Sequence, residues 1–141
     1  MTRIDFHSNV TDRIAYACRL TRKARAADCR VVLLAQDNAQ MHELDEALWR
    51  FSDLDFLPHV QAGDQLAGRT PIILADADNA ELPHHQILIN LSKSAPAHFA
   101  RFERLFEIVS TNDDDKLAAR QRYVFYKQRG YPLTHFDAEK A

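Results

Sequence analysis

Four residues near the end of the sequence share one spacing and one kind of chemistry. Lys116, Arg120, Tyr123 and Lys127 recur at i, i+4, i+7 and i+11, which on a helix of 3.6 residues per turn forms one narrow stripe. Cations hold carboxylates and a tyrosine ring offers apolar surface, so the stripe suits an acidic peptide. From Lys116 to Arg129 there are five cations (Lys116, Arg120, Arg122, Lys127, Arg129) and no acid. Basic residues near a helix C-terminus also complement the helix dipole, at about 0.3–1 kcal/mol each. That accounts for Lys127 and Arg129 but fits Lys116 badly, because the first helical turn disfavours cations. Spacing alone leaves two readings open, a solvated face and a binding stripe.

Other chemistry finds less support. The three glycines, at 63, 68 and 130, do not follow the first strand. A Rossmann GxGxxG or Walker loop, which needs glycine where backbone meets phosphate, is therefore missing and no cofactor is expected. His84-His85 is the densest histidine pair, but adjacent side chains diverge and no second pair of ligands is defined. Surface histidines are expected there rather than a metal site. Cys18 and Cys29 form no CxxC and read as reduced core thiols. No GxSxG elbow occurs. If the chain were an α/β enzyme, Asp76 or Asp78 at a strand end would be its candidates, against a solvated turn as the ordinary reading.

The elements that must position the stripe follow from periodicity. Thr2 to His7 alternates as a short strand, and Thr11 is the expected cap of a helix running to about Ala27. Cys29 to Ala35 is a continuous apolar run, as in strands buried on both faces of a parallel sheet. Asp37 or Asn38 caps a second helix that buries Met41, Leu44, Ala47 and Leu48. Phe51 to Arg69 reads as a long irregular connection. Pro71–Ala75, Gln86–Leu91 and Leu105–Val109 are further strands, with a helical turn over Ala97 to Glu103. Asp113, Asp114 and Asp115 open a closing helix that runs to Gln128 or Arg129 and stops at Gly130. On this helix Leu117, Val124 and Phe125 are expected to face the sheet. The order predicts one α/β domain over residues 1–141, doubly wound and Rossmann-like, with a mostly parallel sheet of about five strands flanked by helices.

A net charge of −2 does not describe a chain that envelops nucleic acid, which usually carries a strongly basic domain. No apolar run reaches the roughly 18 residues needed to cross a bilayer. Met1-Thr-Arg-Ile-Asp-Phe is not a signal-peptide series. A cytoplasmic protein with no membrane contact is expected.

Several stretches together resemble a known family. Leu44-Asp-Glu-Ala-Leu-Trp49 with Phe56-Leu-Pro-His59, then Ile87-Leu-Ile-Asn-Leu91, then Lys116-Leu-Ala-Ala-Arg120-Gln-Arg-Tyr123 closing near Gly130-Tyr131, resemble the chi subunit of bacterial DNA polymerase III. The resemblance runs in order over nearly the whole chain. It implies a non-catalytic subunit of the clamp-loader assembly that pairs with the psi subunit. On another face it implies binding to the acidic, phenylalanine-terminated C-terminal tail of single-stranded DNA-binding protein. By that family's motif, Lys116, Arg120 and Tyr123 are tail contacts. The position after the tyrosine is often basic in the family, whereas this chain has Val124; Lys127 is the substitute within reach. The resemblance also places a psi-facing surface near Trp49, Phe56, Pro58 and His59, and the aromatics there could equally be ordinary core. A direct single-stranded nucleic-acid binder using the same basic helix is the alternative function, and strong direct DNA binding is not expected.

Overall fold

The computed structural model describes residues 1–51, 57–76 and 81–140. Its strands are β1 (Arg3–Val10), β2 (Val31–Leu34), β3 (His59–Gln61), β4 (Ile72–Ala75), β5 (Ile87–Asn90), β6 (Arg104–Ser110) and β7 (Leu133–Asp137). Three α-helices connect them: α1 (Arg13–Ala26), α2 (Asn38–Arg50) and α3 (Asp113–Gln128). The strands form one sheet in the order β3-β4-β2-β5-β6-β1-β7, and every pairing is parallel.

The central strands are apolar throughout because both faces of the sheet are covered. Alternate residues feed two cores. Val31, Leu33, Ile72, Leu74, Ile87 and Ile89 meet α1 and α2 on one face. Val32, Leu34, Ile73, Leu88, Ile4 and Phe6 meet α3 and loop residues such as Phe99 and Phe102 on the other. The expected α/β class, doubly wound and mostly parallel, is what the chain adopts.

The expected count of about five strands is exceeded by two. β3 is three residues long inside the segment read as irregular. β7 is the last strand in the sheet order, and three of its five side chains are exposed. Neither carries the apolar run or the clean alternation that marks a strand in sequence.

Local signals fix the helix ends. Asp12, rather than Thr11, caps α1 by accepting from the Ala15 N–H at 3.0 Å. Asp37 caps α2 by accepting from the Gln40 N–H at 2.8 Å. Asn112 caps α3, with the three aspartates filling its first turn. Gly130, at φ +81°, ends α3: its N–H donates to the Lys127 carbonyl at 3.0 Å and the Tyr131 N–H to the Tyr126 carbonyl at 3.3 Å. This is the Schellman pattern, which needs a left-handed residue.

Candidate functional site

Which face of α3 meets the protein is set by one acid in β6. Glu107 is fully buried amid Leu105, Phe106, Ile108 and Val109, and a buried carboxylate needs partners. Arg122 supplies a charge at 3.1 Å, Tyr126 donates its hydroxyl at 2.6 Å, and the Asn90 amide donates at 2.9 Å. Arg122 also donates to the Lys93 carbonyl at 2.9 Å. Burial pushes the Glu107 carboxyl up from its ordinary value, against the Arg122 charge and the hydrogen bonds that favour ionisation.

The inward face of α3 is therefore Asp115, Ala119, Arg122 and Tyr126. The expectation that Leu117 and Val124 face the sheet is overturned: they are 57% and 49% exposed. Phe125 is half-buried, packed edge-on against Phe99 at 6.2 Å between centroids. Arg122, grouped in sequence with the surface cations, belongs to the core. The missed signal was Glu107 itself, an acid inside an apolar strand.

Turning that face inward rotates the sequence-predicted stripe to the margin of the sheet. Lys116, Arg120 and Tyr123 line a groove of about 330 Å³ together with Phe6, Ser8, Val109, Ala119 and His135. Phe6, Val109 and Ala119 give it an apolar floor. Tyr123 meets Phe6 edge-on, 5.4 Å between ring centroids and 64° between planes. Lys127 lies outside the groove, its Nζ 6.0 Å from the Tyr123 ring centroid. Lys116 is half-buried and Arg120 exposed. The sequence reading missed Phe6, Ser8, Val109 and His135. Ser8 Oγ and His135 Nε2 are hydrogen-bonded at 2.7 Å, and His135 reaches the groove only through β7, which had no sequence signal. An apolar notch rimmed by cations takes an aromatic ring attached to a carboxylate.

The second predicted cluster sits at the other edge of the sheet. Trp49, in the last turn of α2, is 57% exposed and so is not core. Its ring lies against His59, 4.7 Å between centroids. His59 opens β3 and is buried, with Nδ1 2.7 Å from the Leu57 carbonyl and Nε2 3.0 Å from the Asp45 carboxylate. Pro58 beside it is half-buried. The fold thus brings Trp49, Pro58 and His59 together, while Phe56 lies outside the described residues.

Other candidates resolve as follows. Cys18 is buried, and burial pushes its thiol up to about 11. Cys29 is only half-buried, so the expectation of two core thiols holds for Cys18 alone. His84 is buried rather than a surface histidine, and burial lowers its pKa. Among the described residues no three metal-ligating side chains converge. Asp76 is exposed after β4, and Asp78 lies outside the described residues. No helix among the described residues is long and apolar enough to cross a membrane.

Comparison with known proteins places the chain in a family. The family model for the DNA polymerase III chi subunit, HolC, matches residues 1–134. A DNA polymerase III subunit chi from Pseudomonas aeruginosa is 35% identical over 137 residues, covering 94% of each chain. The subunit of that name from Escherichia coli is 30% identical over 116 residues, covering 82% of this chain and 79% of its own. One from Haemophilus influenzae is 29% identical over 118 residues, covering 84% and 82% respectively. The chain belongs to the DNA polymerase III chi subunit family.

Proposed function

We propose that this chi-family chain is a non-catalytic accessory subunit of the DNA polymerase III clamp-loader assembly. In that role it joins the psi subunit to the acidic C-terminal tail of single-stranded DNA-binding protein. It acts in the cytoplasm as a single domain over residues 1–141 and uses no cofactor.

The observation that carries the tail reading is the groove between α3 and the β1–β7 margin, where Lys116 and Arg120 rim an apolar floor. The terminal phenylalanine ring enters the notch beside Tyr123, and its carboxylate meets Arg120, whose planar guanidinium binds carboxylate in two parallel hydrogen bonds. Lys116 and Lys127 then attract the acids upstream. Val124 adds no charge, so Lys127 carries that share.

Psi docks at the opposite sheet edge on Trp49, Pro58 and His59, and Phe56, outside the described residues, is assigned to the same surface by its place in the sequence. An exposed tryptophan over a buried histidine has the form of an interface anchor. Docking there leaves the tail groove free, because the two surfaces belong to opposite ends of the strand order.

Calorimetric titration with a peptide ending in Asp-Phe-Pro-Phe tests the tail reading. Micromolar affinity is expected, since a short tail must be ordered as it binds. Arg120→Ala should weaken binding by about 10- to 100-fold, the size of a charge-assisted contact. Equal binding by the variant, or none by the unmutated chain, would sink this assignment.

A further inference from the structure

The charge that looks evenly mixed along the sequence is segregated by the fold. All seven strands are parallel, so their starts share one end of the sheet. Arg3 and Arg104 open β1 and β6, Arg30 immediately precedes β2, and Arg101 closes the short 3-10 turn before β6. α1 returns the chain to the start of β2, which brings Lys23 and Arg25 in its last turn to the same end. Asp5, Asp28 and Glu103 lie among these six cations, and Asp137 lines the cavity beside them. Asp5 is buried and already paired with Arg104 at 2.7 Å, and Asp28 lies 3.9 Å from Arg25. The opposite end collects Asp12, Asp37 and Asp113 to Asp115 at the helix starts.

Helix-dipole compensation accounts for Lys23 and Arg25. It gives no reason for Arg3, Arg30 and Arg101, which lie outside the α-helices, are exposed, and make no ion pair among the described residues. The surface there is also concave. A cavity of about 620 Å³ runs between α1 and the β1–β7 margin, and one of about 530 Å³ continues it beneath the strand starts. The two share Cys29, Ile87 and Arg104 as walls. Lys23 borders the first cavity, Arg3 and Arg101 the second. At the mouth, Phe136 is 48% exposed and stacks on buried His7, 5.0 Å between centroids and 18° between planes.

We infer that this trough is a second interaction surface, for the phosphate backbone of single-stranded nucleic acid. Exposed cations track phosphates, here Arg3 and Arg101 on the second cavity, Lys23 on the first and Arg30 beside their shared wall at Cys29, and the exposed Phe136 ring stacks an unpaired base, which a duplex would hide. The contact is weak, because an overall charge of −2 opposes accumulation on a polyanion away from this end. Its first cavity opens on the α1 face of the sheet; His135 borders both it and the tail groove, but none of the tail groove's cations lines the trough, so the inference does not rest on the function proposed above.

Fluorescence anisotropy of a labelled oligothymidylate with the full chain tests it. Binding is expected at low salt, with a log–log salt slope near −2 if about three phosphates are engaged at roughly 0.7 each. Combined charge reversal of Arg3→Glu, Lys23→Glu and Arg30→Glu should lower affinity at least ~10-fold, since the slope and the charge both change. The melting profile is recorded alongside, and single reversals replace the triple if it does not fold. Arg120→Ala, the variant expected to weaken tail-peptide binding, should leave oligonucleotide binding intact. No binding by the unmutated chain at low salt would overturn the inference. So would a charge-reversed variant that binds equally, loss caused by Arg120→Ala, or competition by polyglutamate as effective as by unlabelled oligonucleotide.

Discussion

The β1–β7 margin carries a groove on each face, and the same two strands line both. Phe6 and Ser8 line the α3 side; Asp5, His7 and Phe136 help line the α1 side; His135, on the edge strand, borders both. Neighbouring residues alternate between faces because strand side chains have a period of two. The α3 groove is the smaller, with an apolar floor and cations drawn from one helix. The first cavity of the α1 trough alone is nearly twice as large, and the trough's cations come from a helix end, strand starts and a loop. One periodic helix therefore makes a compact site that sequence spacing reveals. The other surface is assembled from positions far apart in the chain.

The largest effect is expected where α3 changes from surface to core. Arg122→Ala strands Glu107 as a buried, uncompensated carboxylate, at a cost of about 3–5 kcal/mol. Thermal unfolding should show a fall of roughly 10 °C. An unchanged melting temperature would mean that α3 is not held by this pair. Arg120→Ala, two residues away, should shift stability by less than about 0.5 kcal/mol while weakening the tail peptide 10- to 100-fold as above. Together the two variants separate the cation that builds the groove from the one that works in it.

The trough side makes a prediction about pH. His7 is buried, with Nδ1 2.5 Å from the Tyr16 hydroxyl, and burial pulls its pKa from 6.5 down to about 4. A depressed histidine pKa means that the unfolded chain takes up the proton first. Its contribution to stability is intact above pH 6.5 and is lost as pH falls from 6.5 towards 4. Denaturant titrations should show about 1–2 kcal/mol lost by pH 5. His7→Gln should flatten that slope, and an equal slope in the variant would assign the loss to other groups.

The smallest effect concerns the end of α3. Gly130→Ala meets no steric neighbour within 4 Å, so its cost is only that of holding alanine at φ +81°, about 1 kcal/mol. It should lower the melting temperature by a few degrees and leave peptide affinity unchanged. A larger loss of binding would show that the β7 register, and with it His135, depends on this turn.

By itself, the sequence determined the elements whose signals are local. The apolar runs of β2, β4 and β5 announced a parallel sheet, Asp37 marked a cap, Gly130 marked the end of α3, and spacing put Lys116, Arg120 and Tyr123 on one stripe. Periodicity states which residues share a helix face, but it cannot state which face turns inward. That was decided by Glu107, which drew Arg122 and Tyr126 into the core and left Leu117 and Val124 in solvent. β7 was invisible because an exposed edge strand has no reason to alternate. The basic end of the sheet was invisible because its cations are scattered from Arg3 to Arg104 and meet only when parallel strands bring their starts together. Local propensity is written in neighbouring residues, whereas pairing, burial and charge segregation arise from contacts across the chain, 15 residues for Glu107 with Arg122 and 99 for Asp5 with Arg104.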